Sequence, residues 1–437
     1  PSAAQTNCGD SGHFCSGTGH CGVCLPGEGR CKEHDVMNCS QKGQWTVETV
    51  CRSTDRLCSQ GRCVTMMDFE LGSAHGCARF EGGTVRCWGA DGRGQLGRGG
   101  VATALSQTWP VPPADTAFGL RHACARHADG TVWCWGNNDW GQLGRGDETP
   151  DNAPAIVRQL KSVTAVAVGA SHSCALAKGK IWCWGRNDRG QLGSGAPPKE
   201  IAALRWAPRQ TRGTHQPQPL VGVIQANSSS LGPEHTCIEQ GEKHHCWGIL
   251  PFPLSPAPSV PKPTPETTPR MPPRAVATTT PLRLIRGLSN VRQLACGDHH
   301  CCAVRSGGDV RCWGANGVQQ LGDGTKTNRF APVAVDGIGP VTHIALGSRF
   351  ACAQSKDGHV ACWGSNEYGQ LGNGSATISG AADRVAGLQK VRRIRTGSHF
   401  ACASTTNGPL KCWGDNAAHQ LDGPHASPIR EPMTVQW

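Results

Sequence analysis

The stretch "CWGRNDRGQLG", residues 183–193, pairs Cys183 and Trp184 with a run of glycines and turn-forming residues that cannot build a helix. The chain returns to it as "CWGADGRGQLG" from Cys87, "CWGNNDWGQLG" from Cys134, "CWGANGVQQLG" from Cys312 and "CWGSNEYGQLG" from Cys362. An eroded copy, "CWGDNAAHQLD", starts at Cys412, and a seventh "CWG" at Cys246 runs into "ILPFPLSP" without the second half. Repetition at intervals of 47, 49, 63, 66, 50 and 50 residues between successive tryptophans marks a repeat architecture.

Working outward, each copy is preceded by short apolar alternation, as in "VTAVAVGASHSCALAKGKIWCWG" from Val163 to Gly185. Period-two patterning broken by Gly and Ser predicts three strands in a meander. Folding "ALAKGKIW" as a hairpin about Lys178-Gly179 sets Cys174 opposite Cys183. The same construction opposes Cys77 to Cys87, Cys124 to Cys134, Cys237 to Cys246, Cys302 to Cys312, Cys352 to Cys362 and Cys402 to Cys412. Opposed residues of an antiparallel ladder lie about 4.5 Å apart at Cα when not hydrogen-bonded, within a disulfide's reach, so each hairpin is expected to carry one. Closing so short a loop is worth roughly 2 to 3 kcal/mol in the loop-entropy model. Zinc is the competing use of paired cysteines, but a four-thiolate site would need two such pairs, and these are expected one per unit.

The tryptophan after each second cysteine (Trp88, Trp135, Trp184, Trp247, Trp313, Trp363 and Trp413) points to the opposite face and is a wedge for packing one sheet on the next. The Gly, Asn and Gly-Gln-Leu-Gly that follow predict a turn with positive φ and side-chain-to-backbone hydrogen bonds. Within that nearly constant turn the position just before Gly-Gln-Leu-Gly varies: Arg93, Trp140, Arg189, Val318, Tyr368 and Ala418. Trp, Tyr and Arg are enriched at binding hot spots, and repeat symmetry would place the six in a ring on one face, so these are the partner-binding candidates.

Gly-x-x-His, Cys-Ala, a hairpin and Trp-Gly-x-Asn-x-x-Gly-Gln-Leu-Gly together resemble the repeats of the regulator of chromosome condensation family, over about residues 64–437. The resemblance implies an all-β, seven-bladed β-propeller, whose closure leaves no long exposed sheet edge. It also implies that His75, His122, His172, His235 and His300 hold a structural position ahead of the second strand. The nucleotide-exchange and chromatin roles of the best-known member are not carried over, because fold does not fix function.

Composition shapes the remaining expectations. The 437 residues include 58 Gly and 30 Pro but one Tyr, which favours short strands and turns. Twenty-five cysteines suit an oxidising compartment. Together with a start at Pro1, from which a signal peptide would already be removed, this predicts a secreted or cell-surface protein; the cysteine pair in every unit departs from the nuclear members of the family it resembles, and the chain looks like an extracellular, disulfide-rich bacterial branch of it. No run of about 18 apolar residues occurs, so no membrane-spanning helix is expected. The net charge of +11 is scattered, the densest cluster being "KVRRIR" at 390–395, and no nucleic-acid partner is expected.

Residues 1–63 hold nine cysteines and are expected to be a separate disulfide-stapled module; the pairing there, and that of Cys296 and Cys301, cannot be read from sequence. Irregular sequence surrounds the fourth unit: an excursion from Pro197 to Pro219 ahead of it, and a Pro-rich insertion at about 249–283 after it, which favours polyproline II. The His-rich "EKHHC" (242–246) and "DHHCC" (298–302) read first as ordinary blade positions. No hydrolase, zinc-protease, phosphate-loop or calcium-loop motif appears, and no cofactor or metal is expected. The expected function is an extracellular binding scaffold presenting propeller loops to a protein or glycan. A structural subunit of a filament or matrix, with self-association, is the alternative, and an enzyme using the central funnel ranks third.

Overall fold

The computed structural model describes residues 62–437, apart from 98–106, 109–112, 194–212, 221–225, 233, 249–282, 407, 422–426 and 436–437. Before residue 62 it describes Gln44 and the strands Phe14–Cys15, Cys21–Gly22, Gly29–Lys32, Asp35–Cys39, Trp45–Val50 and Arg56–Ser59. Most of the expected module at 1–63 therefore lies outside the described residues. Arg56–Ser59 pairs with the strand Arg62–Leu71, which continues into the first blade, so the chain crosses residues 63 and 64 inside one strand.

From residue 62 on, seven antiparallel sheets follow one another, each built from consecutive strands. Blade three is representative. Its strands Val163–Val168, His172–Ala177, Lys180–Arg186 and Gly213–Pro219 are here termed a to d. The first strands of neighbouring blades touch one another around the whole circle, including Val391–Thr396 of blade seven against Arg62–Leu71 of blade one, so strand a is innermost and the propeller is closed. The expected seven-bladed architecture is what forms.

The hairpin register follows from local sequence. Strands b and c set Cys124 opposite Cys134 and Cys174 opposite Cys183, and all seven blade pairs are linked, with Cα separations of 4.0–4.1 Å. An eighth disulfide joins Cys296, the last residue of strand a in blade five, to Cys301 on strand b.

Irregular segments sit inside blades. Gly213–Pro219 pairs with Trp182, Cys183, Gly185 and Arg186, so the excursion from Pro197 belongs to blade three and ends as its outer strand. The Pro-rich insertion at 249–282 is outside the described residues. Arg283–Leu284 follows it and pairs with Cys246 and His245, so the insertion separates strands c and d of blade four.

The core lies between blades. Six of the clusters combine one blade's cysteine pair with apolar residues and the next blade's tryptophan, as with Cys352, Cys362, Leu371 and Trp413, while Trp135 packs with Ala123, Ala125 and Phe118. Six tryptophans add a directed bond: Trp135 Nε1 donates to the Gln95 carbonyl at 2.9 Å, Trp184 to Gln142 at 2.8 Å and Trp247 to Gln191 at 2.8 Å. Trp363, Trp413 and Trp88 donate likewise to Gln320, Gln370 and Gln420. The Gly-Gln-Leu-Gly phrase is thus the receptor for the following blade's wedge. Blade four lacks the phrase, and Trp313 of blade five, also buried, has no such bond among the described residues.

Among the described residues no strand is exchanged at the seam between blades seven and one. The seam is held by side chains: Trp88 on Gln420, Arg395 Nε on Glu70 Oε1 at 2.8 Å, an ion pair between Arg393 and Asp68, and a shared core containing Phe69, Phe80, Phe400 and Leu421. Burial raises the Glu70 carboxyl above its usual range, and the Arg395 guanidinium opposes that shift.

Candidate partner-binding face

Strand c of each blade ends at the same face as the loop joining strands a and b. His122 is paired with Gly136, and Asn137 N donates to the Arg121 carbonyl at 2.8 Å. All Gly-Gln-Leu-Gly turns therefore share one face with the seven a–b loops.

The turn is clamped from within. Asn138 Oδ1 accepts from Leu143 N at 2.9 Å, and the same bond recurs from Leu192 to Asn187, Leu321 to Asn316, Leu371 to Asn366 and Leu421 to Asn416. The Gln side chain holds the variable position itself: Arg93, Trp140, Arg189, Val318, Tyr368 and Ala418 each donate their backbone N–H to the Oε1 of the Gln two residues on. Both glycines of the phrase have positive φ, 74° and 71° at Gly141 and Gly144. Gln319 and His419 replace the first glycine in blades five and seven yet keep φ at 63° and 55°, so the clamp imposes the conformation even on a residue with a Cβ.

The six candidates thus occupy equivalent places on one face. Arg93 and Arg189 are exposed, and Trp140, Val318, Tyr368 and Ala418 are half-buried. Several reach the next blade. The Tyr368 ring lies 4.7 Å from that of His399, and the Arg186 guanidinium sits 4.9 Å over Trp140. Arg189 and Arg186 lie 3.9 and 3.8 Å from a Glu234 carboxylate oxygen, and Arg93 lies 4.0 Å from Asp139.

These partners expose a second set of residues that the sequence reading passed over. The position just before the buried His or Phe is Ala74, Arg121, Ser171, Glu234, His299, Arg349 or His399 in successive blades. It shows the same signal, a varied residue beside a constant one, and forms an inner ring next to the turns.

On the axis is an open cavity of about 220 Å³, lined by strand-a ends and a–b loops from all seven blades. Leu120 and Ala170 line one part; Ser73, Asp298, Ser348 and Ser398 line another, with Ser348 bonded to Asp298 and the Ser73 and Ser398 hydroxyls 2.7 Å apart. Its floor is a ring of glycines in close approach. A Cβ on Gly119 would fall 2.1 Å from the Gly169 carbonyl oxygen, and one on Gly397 would fall 2.7 Å from that of Gly72.

Beneath that floor lie the five histidines, all buried, with Phe350 and Phe400 in the equivalent places of blades six and seven. His122 Nε2 meets the Ser173 hydroxyl and His172 Nε2 that of Thr236, each at 2.9 Å, while neither ring nitrogen of His75 has a partner among the described residues. Burial holds His75 and His235 down to about 4, and His122, His172 and His300 down to about 3. Neutral and closed off, they pack the blades. The five histidines therefore read as packing residues of the blades, not as acids or bases. No helix among the described residues is long and apolar enough to cross a membrane.

Models of the regulator of chromosome condensation (RCC1) repeat match residues 129–176, 178–238, 307–354 and 357–404, and a second model of the repeat matches 68–95, 114–142, 163–191, 291–320 and 341–370. Together they cover more than half of the chain. The ultraviolet-B receptor UVR8 of Arabidopsis thaliana is 40% identical over 55 residues, which are 13% of this chain and 12% of the receptor. Among solved structures, Prp20p of Saccharomyces cerevisiae, described with its binding to Gsp1p and histones, matches with a TM-score of 0.65 at 20% identity, covering 80% of this chain and 85% of that one. The yeast protein has also been crystallised bound to Kap60. Human WBSCR16 matches with a TM-score of 0.61 at 21% identity over 76% of this chain and 84% of its own.

These relatives overturn one group of expectations. The RCC1 repeat models match the chain, and Prp20p, UVR8 and WBSCR16 are eukaryotic proteins, so the secreted bacterial branch is corrected, and with it the extracellular or cell-surface location, the extracellular scaffold and the filament subunit. A glycan partner and self-association find no support among them either. The physical reason is that opposed cysteines report strand register: the b–c hairpin brings the two side chains together in every blade, whatever the surroundings of the chain. Cysteine content was therefore a poor guide to compartment. The architecture stands apart from that inference, and the chain belongs to the family of proteins built from RCC1 repeats.

Proposed function

We propose that this chain is a non-catalytic scaffold for protein partners, engaged through the face that carries the Gly-Gln-Leu-Gly turns. The observation that carries the reading is the clamp: an Asn (Asp91 in blade one) and a Gln side chain hold each complete turn in one conformation, while the residue ahead of Gly-Gln-Leu-Gly, held only through its backbone N–H, varies among blades. Trp140 and Tyr368 are its anchors. Each leans on a side chain of the next blade, which reduces the rotamer entropy lost when a partner covers it. The inner ring supplies charge beside those anchors through Arg121, Glu234 and Arg349, and the axial cavity offers a recess for an inserted loop. Protein binding by Prp20p, on the same fold, supports the class of partner.

Affinity capture with the folded chain, followed by cross-linking from the turn face, identifies the partner. Trp140→Ala and Tyr368→Ala are expected to weaken it by about 2 kcal/mol or more each, roughly 30-fold, with folding intact. Lys356→Ala, an exposed change on the b–c loop of the opposite face, is expected to leave it unchanged. Normal binding by both aromatic variants, or loss with Lys356→Ala, would place the interface elsewhere.

A further inference from the structure

The eighth disulfide breaks the repeat pattern. Cys296 stands where other blades end strand a with Leu71, Phe118, Val168, Leu231, Leu346 or Thr396, and Cys301 where they place Gly76, Ala123, Ser173, Thr236, Ala351 or Ala401. Six blades fold without such a pair. It also sits beside a second disulfide and a histidine from blade four. Cys296 Sγ is 3.9 Å from Cys237 Sγ, Cys301 Sγ is 3.5 Å from His235 Nε2, and the ligand atoms of His235, Cys237, Cys296 and Cys301 all lie within 4.8 Å of one another.

These distances match a particular coordination shell. Zinc at about 2.3 Å from sulfur and about 2.05 Å from imidazole nitrogen spans tetrahedral edges of roughly 3.8 Å between sulfurs and roughly 3.6 Å between sulfur and nitrogen. Two edges are already near those lengths, the bonded Cys296–Cys301 pair must separate, and the three other edges start from no more than 4.8 Å. We propose that the cluster is a thiol-gated zinc site: when the Cys296–Cys301 and Cys237–Cys246 disulfides are reduced, His235 Nε2 and the thiolates of Cys237, Cys296 and Cys301 bind one Zn²⁺ between blades four and five.

Access and stoichiometry are both defined. Cys296 is only partly buried and lines the axial cavity, whereas Cys237, Cys246 and Cys301 are fully buried. A small-molecule thiol, glutathione in class, attacks Cys296 Sγ and expels Cys301 as a thiol; a second equivalent frees Cys296 and leaves as the external disulfide. The Cys296 thiolate then attacks Cys237 Sγ, expelling Cys246, and two further thiols release Cys296 from Cys237. Four external thiols thus become two external disulfides while four protein thiols form. Zinc binding displaces the protons of the three ligating thiols, and Cys246 remains a free thiol.

The test uses the folded chain treated with graded reduced glutathione, with thiol mapping by mass spectrometry and titration with Co²⁺ and then Zn²⁺. Cys296 and Cys301 are expected to be labelled ahead of the Cys174–Cys183 pair. About one equivalent of Co²⁺ is expected to give the tetrahedral ligand-field and thiolate charge-transfer absorption, displaced by Zn²⁺, and the oxidised chain is expected to give none. Cys296→Ser with Cys301→Ser is expected to abolish the signal while circular dichroism stays native. His235→Phe, which imports the residue found at 350 and 400, is expected to weaken Co²⁺ binding at least tenfold. Equal binding by the serine variant, no earlier opening of Cys296–Cys301, or loss of fold before metal binds would each overturn the proposal.

Discussion

Acid is expected to loosen the ring of blades through its five buried histidines, by an amount that depends little on how far each folded pKa is depressed. In the unfolded chain an imidazole titrates at about 6.5. In the folded chain His75 and His235 are held down to about 4, and His122, His172 and His300 to about 3. Protons therefore favour the unfolded chain below about pH 6.5, and the penalty grows as pH falls until it saturates near the folded values. At about pH 5 each histidine lies about 1.5 pH units below its unfolded pKa and above its folded one, which costs about 2 kcal/mol at about 1.4 kcal/mol per unit. Five such groups amount to about 10 kcal/mol, comparable with the whole stability of a typical domain. Equilibrium urea unfolding followed by tryptophan fluorescence, at about pH 7.5 and about pH 5, measures the difference. His75→Phe isolates one site: His75 packs edge-on to Phe118 at 5.5 Å, its ring nitrogens lack partners among the described residues, and Phe350 and Phe400 show that the position accepts phenylalanine. The variant is expected to narrow the pH difference by about 2 kcal/mol. An undiminished difference in His75→Phe, or a wild-type stability independent of pH, would refute the reasoning.

Three further outcomes follow from the contacts between blades and the links within them. Trp135→Phe leaves the buried Gln95 carbonyl without its donor and should cost about 1 to 3 kcal/mol more in chemical denaturation than Trp313→Phe, whose indole makes no equivalent bond among the described residues; equal losses would deny the bond its role. Gly119→Ala drives a Cβ to 2.1 Å from a backbone oxygen that cannot swing away, and should destabilise by about 1 to 3 kcal/mol or more, whereas Gly92→Ala, with open space around it, should be within about 0.5 kcal/mol of wild type. Non-reducing peptide mapping of the native chain should recover Cys174 linked to Cys183; free thiols at most blade cysteines would remove the hairpin staples from the account of stability.

Much of the fold was legible because its defining contacts are local. The alternation from Val163 to Val168, the Lys178-Gly179 turn and the Cys174–Cys183 opposition all fall within one unit, where strand period and turn chemistry leave a single register. Seven copies then imply closure. The excursion from Pro197 was harder to place, because Gly213–Pro219 has neither apolar alternation nor the look of a strand: Pro217 and Pro219 are tolerated only because this strand is the blade's outer edge. Cysteine content misleads about compartment for a related reason, since the cysteine pairs follow from hairpin geometry.

The candidate site divides along the same line. Sequence alone determined that a recurrent turn displays Arg93, Trp140, Arg189, Val318, Tyr368 and Ala418, because the changing letter ahead of a repeated Gly-Gln-Leu-Gly is visible without coordinates. Only the tertiary structure decided that the Gln carbonyl of each complete turn receives the next blade's indole, that His399 and Arg186 support Tyr368 and Trp140, and that seven strand ends meet around one cavity. The same holds for the meeting of Cys237 with Cys296, 59 residues apart. Spacing within a repeat is set by the backbone's own period, but contact between repeats depends on the angle at which consecutive sheets pack around the axis, and that angle is a property of the whole closed ring.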